Sequence, residues 1–316
     1  MSYAQYGTIQ ASDYNNLIGA AAGSTANVLN TVWATGSGAA GYGQTALANV
    51  AIGDTVTATS WANLINRTAN SASHQSSSIT SVTAPVSGNT VIYNANVVTN
   101  LQTVYTNRLN AVSQSATSSN TATYGATWLN AITFTHTVTF ANGDAARYFF
   151  NSGGQLAITC AHPAGTGINL LLNNLASNVG TVVLSSPTSG AASIAGTSYN
   201  GVTKVGGGGS TPTISTNSGY YNLTTSNANV FFQTASTGPS GYLSTNINIF
   251  VKTNGTVGSN GDKGNVVTIY TVWDEIPNGL TVSTGSATTV TIRPPEVTNI
   301  ANTWGTPTVG GTVTGS

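Results

Sequence analysis

The apolar positions change period along the chain. Near the start, Ile9-Gln10-Ala11-Ser12-Asp13-Tyr14-Asn15-Asn16-Leu17-Ile18 aligns without gaps on Val56-Thr57-Ala58-Thr59-Ser60-Trp61-Ala62-Asn63-Leu64-Ile65. Each copy sets a hydroxyl residue, Ser12 or Thr59, before an aromatic, a Leu and an Ile at i, i+3 and i+4. That spacing lines one helical face, and the hydroxyl reads as an N-cap. The two copies form either an internal repeat or two ordinary amphipathic helices that share a capping signal. The first helix can continue through Val28, Leu29 and Val32, although Gly19 and Gly23 weaken it; the second runs to about Ala72 and is followed by His74-Gln75. A turn-rich link, Gly36 to Gln44, lies between them. A third helix is expected from Val97 to Val112, after Pro85 and Gly88, and a Ser/Thr/Asn-rich linker follows it.

From residue 132 the period becomes two. Ile132, Phe134, His136, Val138 and Phe140 alternate with four threonines, as in a half-buried antiparallel strand. Asn142-Gly143 then separates this run from Arg147-Tyr148-Phe149-Phe150, which predicts a hairpin. Leu156, Ile158 and Cys160 alternate again, placing Cys160 toward a core. Further strands are expected at 180–184, 219–223, 229–233, 247–252, 265–273 and 288–292, with Gly, Ser and Asn between them. The fold class is therefore mainly β with an N-terminal α-helical module, its body an antiparallel sandwich of jelly-roll-like kind. Residues 1–84 form the helical attachment or oligomerisation module, 85–122 a helix and linker, and 123–300 the β body, divisible near the glycines at 206–209, which read as a mobile loop. Residues 301–316 read as a flexible tail or an arm that docks on a neighbour.

Composition narrows the function. Only 4% of the 316 residues are charged, and seven Lys+Arg balance seven Asp+Glu. A typical soluble domain has about 25% charged residues. Seven cations supply no basic face, so nucleic acid is not an expected partner. Cys160 is the single cysteine, which excludes an internal disulfide framework. No apolar run approaches the roughly 18 residues of a membrane span, and the first five residues, Met1-Ser2-Tyr3-Ala4-Gln5, predict no signal peptide. A net charge of zero favours association.

Candidate chemistry is sparse. His74 ends a helix, His136 reads as a satisfied core histidine, and His162 precedes Pro163 in a turn; none has a metal-ligand spacing. Asp13 sits in a helix's first turn, where it suits the dipole, and Asp144 and Asp262 sit beside glycines in turns. Asp274 and Glu275 point to opposite faces of a strand, so they cannot form a glycosidase pair with each other. Nucleophile-elbow, phosphate-loop and dinucleotide fingerprints are missing from the sequence. No catalytic residue, metal or cofactor is expected. Tyr220-Tyr221, Phe231-Phe232 and Tyr242 could bind a sugar if exposed, and otherwise belong to the core.

Three stretches carry a family resemblance. They are Thr8 to Leu17, then Gly41-Tyr42-Gly43-Gln44 with Gly53 to Ile65 ending at His74-Gln75, and Arg147-Tyr148-Phe149-Phe150-Asn151-Ser152-Gly153-Gly154. On these the chain resembles the virion structural proteins of tailed bacteriophages, especially marine and cyanobacterial ones. The resemblance implies a non-enzymatic particle component of a tail fibre, neck or baseplate, located in the virion beside other virion proteins. It implies a homo-oligomer, a trimer by analogy with fibres or else a ring. Tyr14, Leu17, Ile18, Trp61, Leu64 and Ile65 are the expected helix-packing anchors. A cell-surface adhesin or carbohydrate-binding module that takes a host glycan is the alternative, and a tail-borne polysaccharide depolymerase the third.

Overall fold

The computed structural model describes residues 10–19, 29–51, 53–88, 94–115, 117–187, 190–236, 242–274 and 280–315. Met1 to Ile9, Gly23, Val28 and Glu275 of the sequence reading lie outside them. Four helices lead: α1 (Ala11–Ile18), α2 (Leu29–Trp33), α3 (Ala58–His74) and α4 (Ala95–Thr106).

Both expected caps sit two residues earlier than Ser12 and Thr59. Gln10 caps α1 in a reciprocal box, because Asp13 reaches back to the Gln10 N–H at 2.9 Å. Thr57 caps α3 by accepting the Ser60 N–H at 3.1 Å. Gly19, at φ +104°, ends α1 in the left-handed conformation. Helix α4 stops at Thr106 rather than Val112, since Arg108 turns back to donate to Tyr105 O and Ala39 O. The two copies of the repeated pattern meet: Tyr14 and Trp61 pack edge to face at 5.9 Å.

Two antiparallel sheets follow. One runs β1 (Ser118–Thr123), β12 (Ala287–Arg293), β3 (Gln155–Ala161), β4 (Thr181–Leu184), β7 (Val202–Val205). The other runs β13 (Thr308–Gly315), β2 (Ala131–Thr139), β11 (Val266–Asp274), β10 (Asn246–Thr253), β9 (Ala228–Thr234), β8 (Thr213–Ile214). A separate hairpin joins β5 (Ala192–Ile194) and β6 (Thr197–Tyr199). The sheets make a sandwich-like body rather than a closed barrel. The outer pairs nest, β1 with β12 and β2 with β11, as strands of a roll do; inside them β3–β4 and β9–β10 pair in local sequence order. Inward positions alternate as the period-two pattern requires: Ile132, Phe134, His136 and Val138 are all buried.

Two helices occupy the body where the alternation predicted strand or nothing. Helix α5 (Gly143–Asn151) replaces the hairpin expected after Asn142-Gly143. Asn142 accepts the Ala145 N–H at 2.8 Å, so it caps a helix instead of turning a hairpin. Gly143 is required by packing, since a Cβ there would lie 2.5 Å from the Asp262 carboxyl carbon. Asp144 accordingly sits in a helix's first turn, not in a loop. Helix α6 (Ile168–Val179) buries Ile168, Leu171, Leu172, Leu175, Ala176 and Val179, one continuous stripe, against both sheets. Residues 219–223 form a 3-10 turn (Tyr220–Asn222), not a strand, because Tyr220 stacks on Phe150 at 4.3 Å.

The glycines at 206–209 are anchored rather than loose: Gly208 donates to Asn178 O and its carbonyl accepts from Lys204 and Gln233. Residues 308–315 form strand β13 on β2 of the same chain. One apolar cluster runs from Tyr14 and Trp61 through Phe134, Phe149 and Leu172 to Trp304, so helices and body share a core.

Candidate functional site

Gly41 to Gln44, His74-Gln75 and Arg147 to Gly154, far apart in sequence, converge where the helices meet the body. Helix α5 presents Arg147 and Asn151, one turn apart, to the loop of residues 35–41. Arg147 Nη2 donates to Thr35 O and Ala40 O, both at 3.0 Å, and Nη1 to Asp144 Oδ1 at 2.8 Å. Asn151 Nδ2 donates to Gly38 O and Gly41 O at 3.1 and 3.2 Å. Four loop carbonyls are thus held by two side chains. Phe149 and Phe150 of α5 pack on Phe140, and on the loop side the Tyr221 hydroxyl joins Asn151 Oδ1 and Gly38 O.

The end of α3 locks into the same place. His74 is fully buried, with Nδ1 at 2.9 Å from Glu296 Oε1 and Nε2 at 3.1 Å from Ser152 O. Tyr42 packs edge to face on the His74 ring at 5.1 Å and accepts from Gln75 Nε2. Gln44 donates to Ala301 O and accepts from Ala301 N, and Thr303 donates to Tyr42 O. Burial alone would raise the Glu296 carboxyl; hydrogen bonds from His74, Thr298 and Asn299 outweigh it and hold it down at about 2.

The other ionisable groups are also committed to structure or isolated. Asp262 accepts the backbone N–H groups of Val257, Gly258 and Gly264; burial opposes its ionisation, and those bonds nonetheless lower its pKa. His162 lies between Ser286 and Asn169. His136 is a core histidine, and desolvation lowers its pKa against a smaller opposing contact with the Asn120 backbone. Cys160 is half-buried against the core, and burial pushes its thiol up to about 12. Among the described residues no group of three His, Cys, Asp or Glu is placed to hold a metal, and no helix is long and apolar enough to cross a membrane.

The expected anchors have two fates. Tyr14, Leu17, Ile18, Trp61 and Leu64 are buried within the chain. Ile65 is half-buried and lines an open cleft of about 450 Å³ with Ala69, Ile79, Val82, Val97 and Asn100. The sequence reading missed what fastens the irregular segments of the helical part. Asn15 donates to Val50 O and accepts from Val50 N, at 2.8 and 2.9 Å. Asn30 does the same to Leu47 and Asn100 to Thr80. Each amide side chain imitates the edge of a neighbouring strand and satisfies one residue's backbone in both directions.

Of the aromatics considered for sugar binding, Tyr220, Tyr221 and Phe231 are buried in the core. Phe232 is half-buried in an open depression with Thr213, Ile214, Ser215 and Asn229. Comparison with protein-family models, curated proteins and solved structures found no match to this chain.

Proposed function

We propose that the chain is a non-enzymatic structural subunit of a tailed-bacteriophage virion, built into a tail fibre, neck or baseplate. One observation carries the reading. Parts of two stretches that resemble virion proteins, Gly41 to Gln44 with His74-Gln75 and Arg147 to Gly154, meet in a single junction, and the polar groups there, Arg147, Asn151, His74 and Glu296, all hold backbone or one another. Such an arrangement fixes geometry. The near absence of charge fits a protein that packs against copies of itself, as a homo-oligomer with a trimer favoured.

The test is twofold. Light scattering on the purified chain is expected to give a discrete multiple of the single-chain mass. Antibodies raised against the β body are expected to label particles of the virus that carries the gene. A monodisperse monomer together with unlabelled particles overturns the reading.

The depression around Phe232 favours a glycan-binding module as second reading, since an aromatic face beside an amide suits a sugar ring. Binding of a glycan array that Phe232→Ala abolishes would move that reading ahead.

A further inference from the structure

The edge of the six-stranded sheet is a built acceptor for one strand. Strand β13 lies on β2 in continuous antiparallel register from Thr308 opposite Thr139 to Gly315 opposite Ile132. Two positions of that acceptor exclude any side chain. A Cβ at Gly311 would lie 2.4 Å from Asn120 Oδ1 of β1 and 2.8 Å from the His136 ring. A Cβ at Gly315 would lie 2.6 Å from Ile132 Cγ2 and 2.8 Å from the Tyr124 ring. The acceptor therefore selects a strand with glycines four apart, in a single register.

The strand itself is weakly held by side chains. None of its residues is buried, and only Val309 and Val313 are half-buried. Trp304, buried, is the last large anchor before it, and Gly305 follows at φ +72°. From Gly305 to Gly315 an extended arm reaches roughly 30 Å. Within β13 there is no charged residue or proline, and the buried Pro307 directly precedes it, whereas β7 at an edge of the other sheet carries Lys204. Unguarded edges are unusual in proteins that stay single.

We propose that β13 is exchanged between copies, each chain's arm pairing with the β2 edge of a second copy. The exchange conserves every hydrogen bond of the described pairing, so the hinge at Gly305 and the local concentration of copies decide it. The inference rests on the reading of the chain as a self-assembling subunit.

The test uses the full chain carrying Cys160→Ala, Thr135→Cys and Thr312→Cys. Positions 135 and 312 face each other across the two strands. Directly opposed residues of an antiparallel pair come within disulfide reach. After mild oxidation of the assembled protein, exchange is expected to yield covalent species at multiples of the single-chain mass. A single-chain species with only an internal crosslink overturns the exchange. If light scattering still shows a multimer in that case, the assembly reading stands and the exchange alone fails. Should the triple variant not fold, the chain lacking residues 306–316 decides. Its mass is expected to fall to that of one chain with its circular dichroism kept, and an unchanged multimer overturns the proposal.

Discussion

At the scale of single residues, the junction depends on a buried charge held by an acid and by backbone. Arg147 is fully buried and joins Asp144 to two loop carbonyls. Arg147→Met is expected to destabilise the protein by about 2–3 kcal/mol in urea unfolding, because it leaves both loop carbonyls without their donor and Asp144 without its cation. Two groups make the fold acid-labile. Burial keeps His136 neutral, so the unfolded chain binds more protons below 6.5 and stability falls as the pH drops through that value. Glu296 is depressed from 4.5 to about 2, so its contribution is complete above 4.5 and is lost between those values. Melting temperature against pH is expected to show both declines. His136→Leu should soften the upper one, since it removes the buried imidazole that must take up a proton.

At the scale of elements, legibility followed how local each signal was. The strands β2, β3, β9, β10, β11 and β12 stood out because alternation is written residue by residue. Helix α5 did not. Asn142-Gly143 is equally a turn and a helix start, and the arbiter is Asp262, 118 positions away from Asp144 in the chain but lying against Gly143. Helix α6 carried a full stripe of apolar residues at helical spacing and was readable in principle. The asparagine clamps were invisible for another reason: an Asn in a helix has no pattern until its distant backbone partner is known. Asn15→Ala, Asn30→Ala and Asn100→Ala are each expected to lose about 1–2 kcal/mol, because each leaves a backbone N–H and C=O without a protein partner. Amide hydrogen exchange should quicken at Val50, Leu47 and Thr80 respectively, and unchanged exchange would contradict the clamp role.

At the scale of the whole molecule, the change of period from about 3.6 to two marks where helices give way to sheets, and the sequence showed it. Sheet order was not readable, because it rests on pairings such as Ser118 with Ile292 that no short window contains. The sequence also did not show that the helices and body share one core, since that depends on Tyr42, Tyr221 and Trp304 meeting from three distant regions. With seven cations and seven anions in 316 residues, long-range charge contributes little to association. The mass of the assembled protein is therefore expected to stay constant as salt rises from about 0.05 to 1 M, where screening shortens from over 10 Å to about 3 Å. Dissociation over that range, followed by light scattering, would point to ionic contacts between copies.

The grip of α5 on the loop at 35–41 has an evolutionary consequence. Arg147 and Asn151 address carbonyl oxygens, which every amino acid supplies alike. The grip itself therefore sets no side-chain identity, while Gly36 and Gly41, where a Cβ would fall 2.5 Å from Ala40 O and 2.1 Å from Thr35 O, are fixed by the path of the loop. A deep mutational scan should find sharp intolerance at those two glycines and more tolerance between them. This part of the mount recognises the path of a chain and not its letters, and identity enters instead through side chains such as His74 and Gln44.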